Sequence, residues 1–169
     1  MDLEDPNSYD FLDEITISYE NDKIFLNGKS VGREIRSTRV AENVSTVAKM
    51  AIVRQKMVEL QQKAAEHGRI IMDGRDIGYV VLPNADVKIF LTASVEERAR
   101  RRFLENQAHG KEETYEEILE SIIARDYKDS HRDLNPLRQA SDAILLDTTS
   151  LNIDEVVMEI VRIIKERLN

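Results

Sequence analysis

Arg125, Asp129 and Arg132 stand at i, i+4 and i+7, so on a helix they share one face. Two guanidinium forks around one carboxylate can grip a phosphate together with a sugar or base edge. The same spacing also makes a solvated salt-bridge ladder, each pair contributing about 0.3–0.5 kcal/mol, and the residues alone favour that plainer reading. A second group, Asp73-Gly74-Arg75-Asp76-Ile77-Gly78, directly follows an apolar run. In open α/β sheets ligands bind beyond the carboxyl ends of strands, where two acids, an arginine and two glycines could hold a polar ligand or help place a metal-bound water. A turn with a local ion pair is an equal alternative. A third group, Arg98, Arg100, Arg101 and Arg102, follows Glu96 and Glu97. These arginines could supply positive charge to a transferring phosphoryl group, or form an exposed face compensated by Glu96, Glu97 and Glu105.

The elements that must position these groups read as alternating strands and helices. Apolar runs at 69–73 (RIIMD), 87–91 (VKIFL) and 143–147 (AILLD) predict short strands of a parallel sheet buried on both faces. Ser94 with Glu97, Thr114 with Glu117, and Asn152 with Glu155 have capping-box spacing, and each opens a charged amphipathic segment. Residues 41–66 lack Pro and Gly, carry Val44, Val47, Ala48 and Ala51 at helical spacing, and are followed by Gly68 as a cap. Ahead of them, 14–20 and 23–26 read as paired strands joined at Asn21-Asp22, with a further turn at Asn27-Gly28. The fold class is α/β.

Several chemistries fall away. Gly28-Lys29-Ser30 copies the tail of a phosphate-binding loop, but Lys23 stands where its first glycine is needed, so it reads as a hairpin turn; no GxxxxGK[ST] occurs in the sequence. His67, His109 and His131 are scattered without a metal-binding spacing, and no metal ligand is assigned. With no cysteine, disulfides and thiolate metal sites are excluded. A net charge of −8 opposes nonspecific binding to nucleic acid or an anionic membrane, while leaving room for a small anionic substrate at clustered arginines. No apolar run nears the ~20 residues that span a bilayer, and Met1 to Asp5 lack signal-peptide character, so a cytoplasmic location is the default expectation.

IIMDGRDIGYVVLPNADVKIFLTASVEERARRR, ARDYKDSHRDLNPLRQASDAILLDTT and the terminal IDEVV together resemble bacterial-type cytidylate kinases, from about residue 30 to the end. The resemblance implies a P-loop nucleoside-monophosphate-kinase-like parallel sheet flanked by helices, with a small β-containing insert that binds the monophosphate. It places that insert at 1–67 and the kinase core at 68–169, with a helical lid around 98–124. It implies transfer of the γ-phosphoryl group of ATP, with Mg2+, to CMP or dCMP, by a protein that is a monomer when complete. Ser45 and Arg54 match the segment that contacts the base. Asp76 matches a carboxylate on the cytosine or pentose edge, with Asp73 and Arg75 beside it. Arg125 and Asp129 match a pair at the nucleotide sugar, and Arg132 a phosphate-facing arginine. Arg98 and Arg101 belong to the helix that enters the lid.

Two expectations follow from setting this chain against the family pattern. Met1 falls after the family's first strand, GPxxxGKS loop, helix and second strand, which would leave a gap between the strands at 69–73 and 87–91. The alternative function is then a noncatalytic CMP-binding fragment or partner-dependent subunit. Second, Ser45 and Arg54 are nine residues apart and would face opposite sides of a continuous helix at ~100° per residue. If both touch one nucleotide, the helix breaks between them.

Overall fold

The computed structural model describes residues 2–20 and 23–168, apart from the side chains of Tyr19, Thr38 and Ser45. The chain forms two compact units, Met1–Ile71 and Met72–Asn169.

In the first unit, β1 (Ile17–Glu20), β2 (Lys23–Leu26) and β3 (Lys29–Ser30) form an antiparallel sheet in sequence order. The expected Asn21-Asp22 turn lies outside the described residues. Asn27 (φ 49°) and Gly28 (φ 75°) both take the left-handed conformation that a tight two-residue hairpin requires, so Lys29 and Ser30 enter a strand. The helical stretch is two helices, α1 (Thr38–Ala48) and α2 (Ala51–Ala65). Between them Met50 is extended (ψ 124°), which is the break expected between Ser45 and Arg54. No proline makes it; Met50 instead packs on a cluster of Tyr9, Leu12 and Val53. Tyr9 and Leu12 come from a 3₁₀ segment, Pro6–Glu14, capped by the Asp5 carboxylate, which accepts from the Asn7 amide. Lys56 pairs with Asp13 at 2.8 Å and Lys49 with Glu4 at 2.7 Å, tying that segment to the helices.

In the second unit, β4 (Ile89–Thr92) and β5 (Ile144–Asp147) pair in parallel, Ile89 opposite Ile144. The expected strand at 69–73 is not formed: these residues are irregular, and Ile71 is 94% exposed. An apolar run becomes a strand only where another strand supplies ladder partners, and none among the described residues lies beside it. The sheet is not covered on both faces either. Leu91 and Leu145, which point to opposite faces, are 53% and 56% exposed.

Three helices flank this pair: α3 (Val95–Ala108), α4 (Tyr115–His131) and α5 (Ile153–Leu168). Their starts are the expected caps. The Ser94 hydroxyl accepts from the Glu97 amide, Thr114 and Glu117 form a full capping box, and Asn152 and Glu155 exchange the same pair of bonds. Ala99 of α3 and Ile118 of α4 are buried, Phe103 meets Tyr115 edge-on, and Arg98 pairs with Asp126 at 2.7 Å, so α3 and α4 are joined along their length. Along α5, Ile163 is buried while Ile153, Val157 and Met158 stay more than half exposed. No helix among the described residues is long and apolar enough to cross a membrane.

Candidate functional site

The Asp73-to-Gly78 loop leads into a single π-helical turn, Ile77–Val81. The Leu82 amide donates to the Ile77 carbonyl at 2.8 Å, and the Val80 amide to Asp76 at 2.9 Å. Such wide turns are rare in proteins and concentrate at functional sites. A side chain at Gly74 would place its Cβ 2.9 Å from Ile77 Cγ1, so the loop closes tightly onto the turn that follows. Asp76 is buried with 6% of its surface exposed, Arg75 is half-buried, and Asp73 is exposed.

From α4, Asp129 meets that loop. Its Oδ2 lies 3.0 Å from Arg75 Nε and 3.8 Å from Arg125 Nε. The structure therefore joins Arg75, Arg125 and Asp129, from the loop and from one helix face, into one cluster. The Asp129 side chain is only 15% exposed, and neither guanidinium is oriented to hydrogen-bond its Oδ2. Arg132 is the C-cap of α4 and extended (ψ 145°), so it leaves the helix face that the spacing predicts it would share with Arg125 and Asp129. It donates from Nε to the Asn135 carbonyl at 2.6 Å, while its Nη2 is buried with no hydrogen-bond partner. A buried polar atom left unmet costs about 1–3 kcal/mol, and more when it is charged, so these two atoms mark where a ligand would supply what the chain does not. A phosphate oxygen suits the Arg132 donor, and hydroxyl groups suit the Asp129 acceptor.

Arg98 and Arg101 are placed differently. Arg98 donates from Nε to the Ala93 carbonyl and pairs with Asp126. Arg101 uses every guanidinium nitrogen, donating to Glu97 at 2.8 Å, to the Thr148 carbonyl at 2.6 Å, to the Thr148 hydroxyl at 3.3 Å and to the Leu151 carbonyl at 3.3 Å. Thr148 is buried and itself bonds the Thr92 carbonyl, so Arg101 joins α3 to the ends of both strands. Hydrogen bonds from Arg100 and then Arg101 hold the Glu97 carboxyl down at about 2. Ser45 and Arg54 belong to the first unit, on α1 and α2; the Ser45 side chain lies outside the described residues, and Arg54 is half-buried.

Sequence reasoning missed the segment after α4. Asn135 is left-handed (φ 51°), the Leu137 amide donates to the Asp129 carbonyl at 2.7 Å, and Arg138 sits 4.5 Å above the Tyr79 ring. The Asn135-Pro136 dipeptide is a turn signal that could have found it. No group of three or more histidines or carboxylates that could hold a metal ion occurs among the described residues.

A parallel strand pair with helices, and with Arg75 of the DGRDIG loop and Arg125 meeting at one carboxylate, defines an α/β protein whose site suits a polar, anionic ligand. The family model for cytidylate kinase matches residues 2–166. Cytidylate kinase of Lactobacillus gasseri is 50% identical over 162 residues, 94% of this chain and 70% of that protein. That of Acholeplasma laidlawii is 46% identical over 165 residues, covering 98% and 74%, and that of Thermosipho melanesiensis is 47% identical over 156, covering 92% and 72%. The chain belongs to the cytidylate kinase family, with its P-loop nucleoside-monophosphate-kinase fold, and is of the transferase class.

Proposed function

We propose that this chain carries the acceptor side of a kinase that moves the γ-phosphoryl group of ATP to CMP or dCMP, releasing ADP and (d)CDP. The observation that carries the reading is two under-satisfied charged atoms: Asp129 Oδ2, which lies beside Arg75 and Arg125, and Arg132 Nη2, three residues further along the chain. Arg132 and Arg75 take the acceptor phosphate, Asp129 with Arg125 the sugar hydroxyls, and Asp76 with Asp73 the polar edge of the nucleotide. Ser45 and Arg54 take the base. The domain division of the family, an insert at 1–67 and a core at 68–169 with a lid around 98–124, goes with this reading.

The transfer itself asks little covalent work of a protein. A phosphate oxygen of CMP is already an anion and needs no strong base; it bonds to the γ-phosphorus as the bond to the ADP oxygen breaks. Mg2+ arrives with ATP and offsets the charge of its phosphates. The chain's own part is to hold the acceptor in line, to offset negative charge with arginine, and to keep water out. Arg132 holds its guanidinium ready for that. Arg98 and Arg101 would join only if a lid movement opened their present bonds, so they are the later members of the proposed set.

Isothermal titration of the chain with CMP, UMP and ATP tests the reading. Binding of CMP with clear preference over UMP is expected, and no CMP binding would overturn it. A coupled assay for ADP then separates a catalytic chain from the second reading, a CMP-binding fragment or partner-dependent subunit without turnover of its own.

A further inference from the structure

Between the π turn that follows Asp76 and the strap that follows Arg132 stands one aromatic side chain with no place in the functional reading above. The Tyr79 hydroxyl donates to the Pro136 carbonyl, and its ring lies under the Arg138 guanidinium at 4.5 Å. Tyr79 is the third residue after Asp76, and its amide donates to the Asp76 carbonyl. Pro136 and Arg138 bracket Leu137, whose amide is bound to the Asp129 carbonyl, and Asn135 accepts the Arg132 Nε hydrogen bond. The far end of the strap from 132 to 138 is therefore held twice, Leu137 by the Asp129 carbonyl and Pro136 and Arg138 by Tyr79. Burial raises the pKa of the Tyr79 hydroxyl above the ordinary phenol value, so it remains a donor through neutral pH.

We infer that Tyr79 is a positioning residue: by clasping the 132–138 strap to the Asp76 turn, it holds the Arg132 guanidinium at the place where the acceptor phosphate is proposed to sit. The inference rests on the functional reading for the identity of that phosphate. Its physical content is separate. The Arg132 Nη2 stays buried and unmatched only while the strap carrying Asn135 stays in place, since Asn135 is what fixes the Arg132 Nε. Release of Pro136 and Arg138 from Tyr79 takes away one of the two holds on the strap's far end and loosens it. The guanidinium then gains other partners, water among them, and its readiness for an anion falls. Effects on the sugar and base contacts should be small, because Asp129 and Arg125 sit within α4 and Arg75 within the loop before the turn.

Affinities of CMP and cytidine, which differ only by the phosphate, separate this role from a general packing role. Tyr79→Phe keeps the ring under Arg138 and loses the hydroxyl; Tyr79→Leu loses both; Arg138→Met removes the cation and leaves the ring. Titrations of CMP by calorimetry and of cytidine by NMR, with thermal midpoints alongside, give the readout. Tyr79→Phe should weaken CMP by about 3- to 10-fold, the scale of one neutral hydrogen bond, and Tyr79→Leu by more, with cytidine unchanged within about twofold. Arg138→Met should weaken CMP by a few-fold. Equal losses for CMP and cytidine, or no loss for either, overturn the inference. Should Tyr79→Leu fail to fold, Tyr79→Phe and Arg138→Met decide by the same criterion. If the parent chain binds cytidine and CMP equally or binds neither, the phosphate assignment to Arg132 fails, and this inference fails with it.

Discussion

Arg101 on α3 donates from every guanidinium nitrogen, to Glu97, Thr148 and Leu151, whereas Arg132 after α4 spends Nε on Asn135 and leaves Nη2 buried without an acceptor. Both are half-buried arginines of the same compact unit, and both read from the sequence as candidates for a phosphoryl group. Their hydrogen-bond accounting separates them. An arginine whose donors are all met by carbonyls and a carboxylate is a joint between elements. One whose buried donor is unmet is waiting for an anion, because a fold keeps such a charge unmatched only where something else offsets the cost. The rest of the α3 set follows Arg101: Arg98 is taken by Ala93 and Asp126, Arg100 by Glu97, and Arg102 by Glu105.

Substitutions can break this contrast on either side. The largest effect is expected from Asp129→Ala, which leaves Arg75 and Arg125 facing each other with no shared carboxylate. CMP affinity by calorimetry should fall by about 100-fold, the scale of losing one member of a half-buried charge pair. Arg101→Met should act on stability instead. Losing its bonds to Thr148 and Leu151 should cost about 1–2 kcal/mol and lower the thermal midpoint by roughly 3–6 °C, with CMP affinity unchanged. A selective loss of CMP binding in that variant would erase the distinction. Thr114→Ala removes a cap from α4 without touching the cluster. It should cost about 1 kcal/mol, or roughly 2–4 °C, again without a change in CMP affinity.

The smallest effect lies in acid. Glu97 is held at about 2 in the folded chain, below its unfolded value of about 4.3. Its contribution is therefore complete above pH ~4.3 and is lost as the pH falls towards 2. The thermal midpoints of the parent and of Glu97→Gln should accordingly converge across that interval. Midpoints that stay equally separated through it would contradict the role assigned to the Arg100–Glu97–Arg101 network.

What the sequence disclosed depended on how local each cause is. The caps at Ser94, Thr114 and Asn152 could be read directly because their bonds close within three residues. The break between α1 and α2 was accessible only through a functional demand, that Ser45 and Arg54 serve one ligand; its physical agent, Met50 packing on Tyr9 and Leu12, is a contact with residues some forty positions away. The run at 69–73 has a strand's composition but finds no ladder among the described residues, and composition cannot report whether a neighbour is present. Within the site, the spacing of Arg125 and Asp129 gave a shared face of α4, but Arg132 falls one residue past the helix and is extended, and the Arg75–Asp129 pair and the Tyr79 clasp are tertiary and had no periodic signature. Spacing also could not divide the arginines, since a satisfied and an unsatisfied guanidinium look alike in sequence.

The central claim is that Arg132, and not Arg101, is held for an anion. The most direct test compares CMP with cytidine on the parent, Arg132→Met and Arg101→Met chains under identical salt. Arg132→Met should lose about 10-fold or more in CMP affinity, the scale of a charge-assisted hydrogen bond, and bind cytidine as the parent does, while Arg101→Met keeps the parent's preference for CMP. A parent-like CMP preference in Arg132→Met, or its loss in Arg101→Met, would contradict the account.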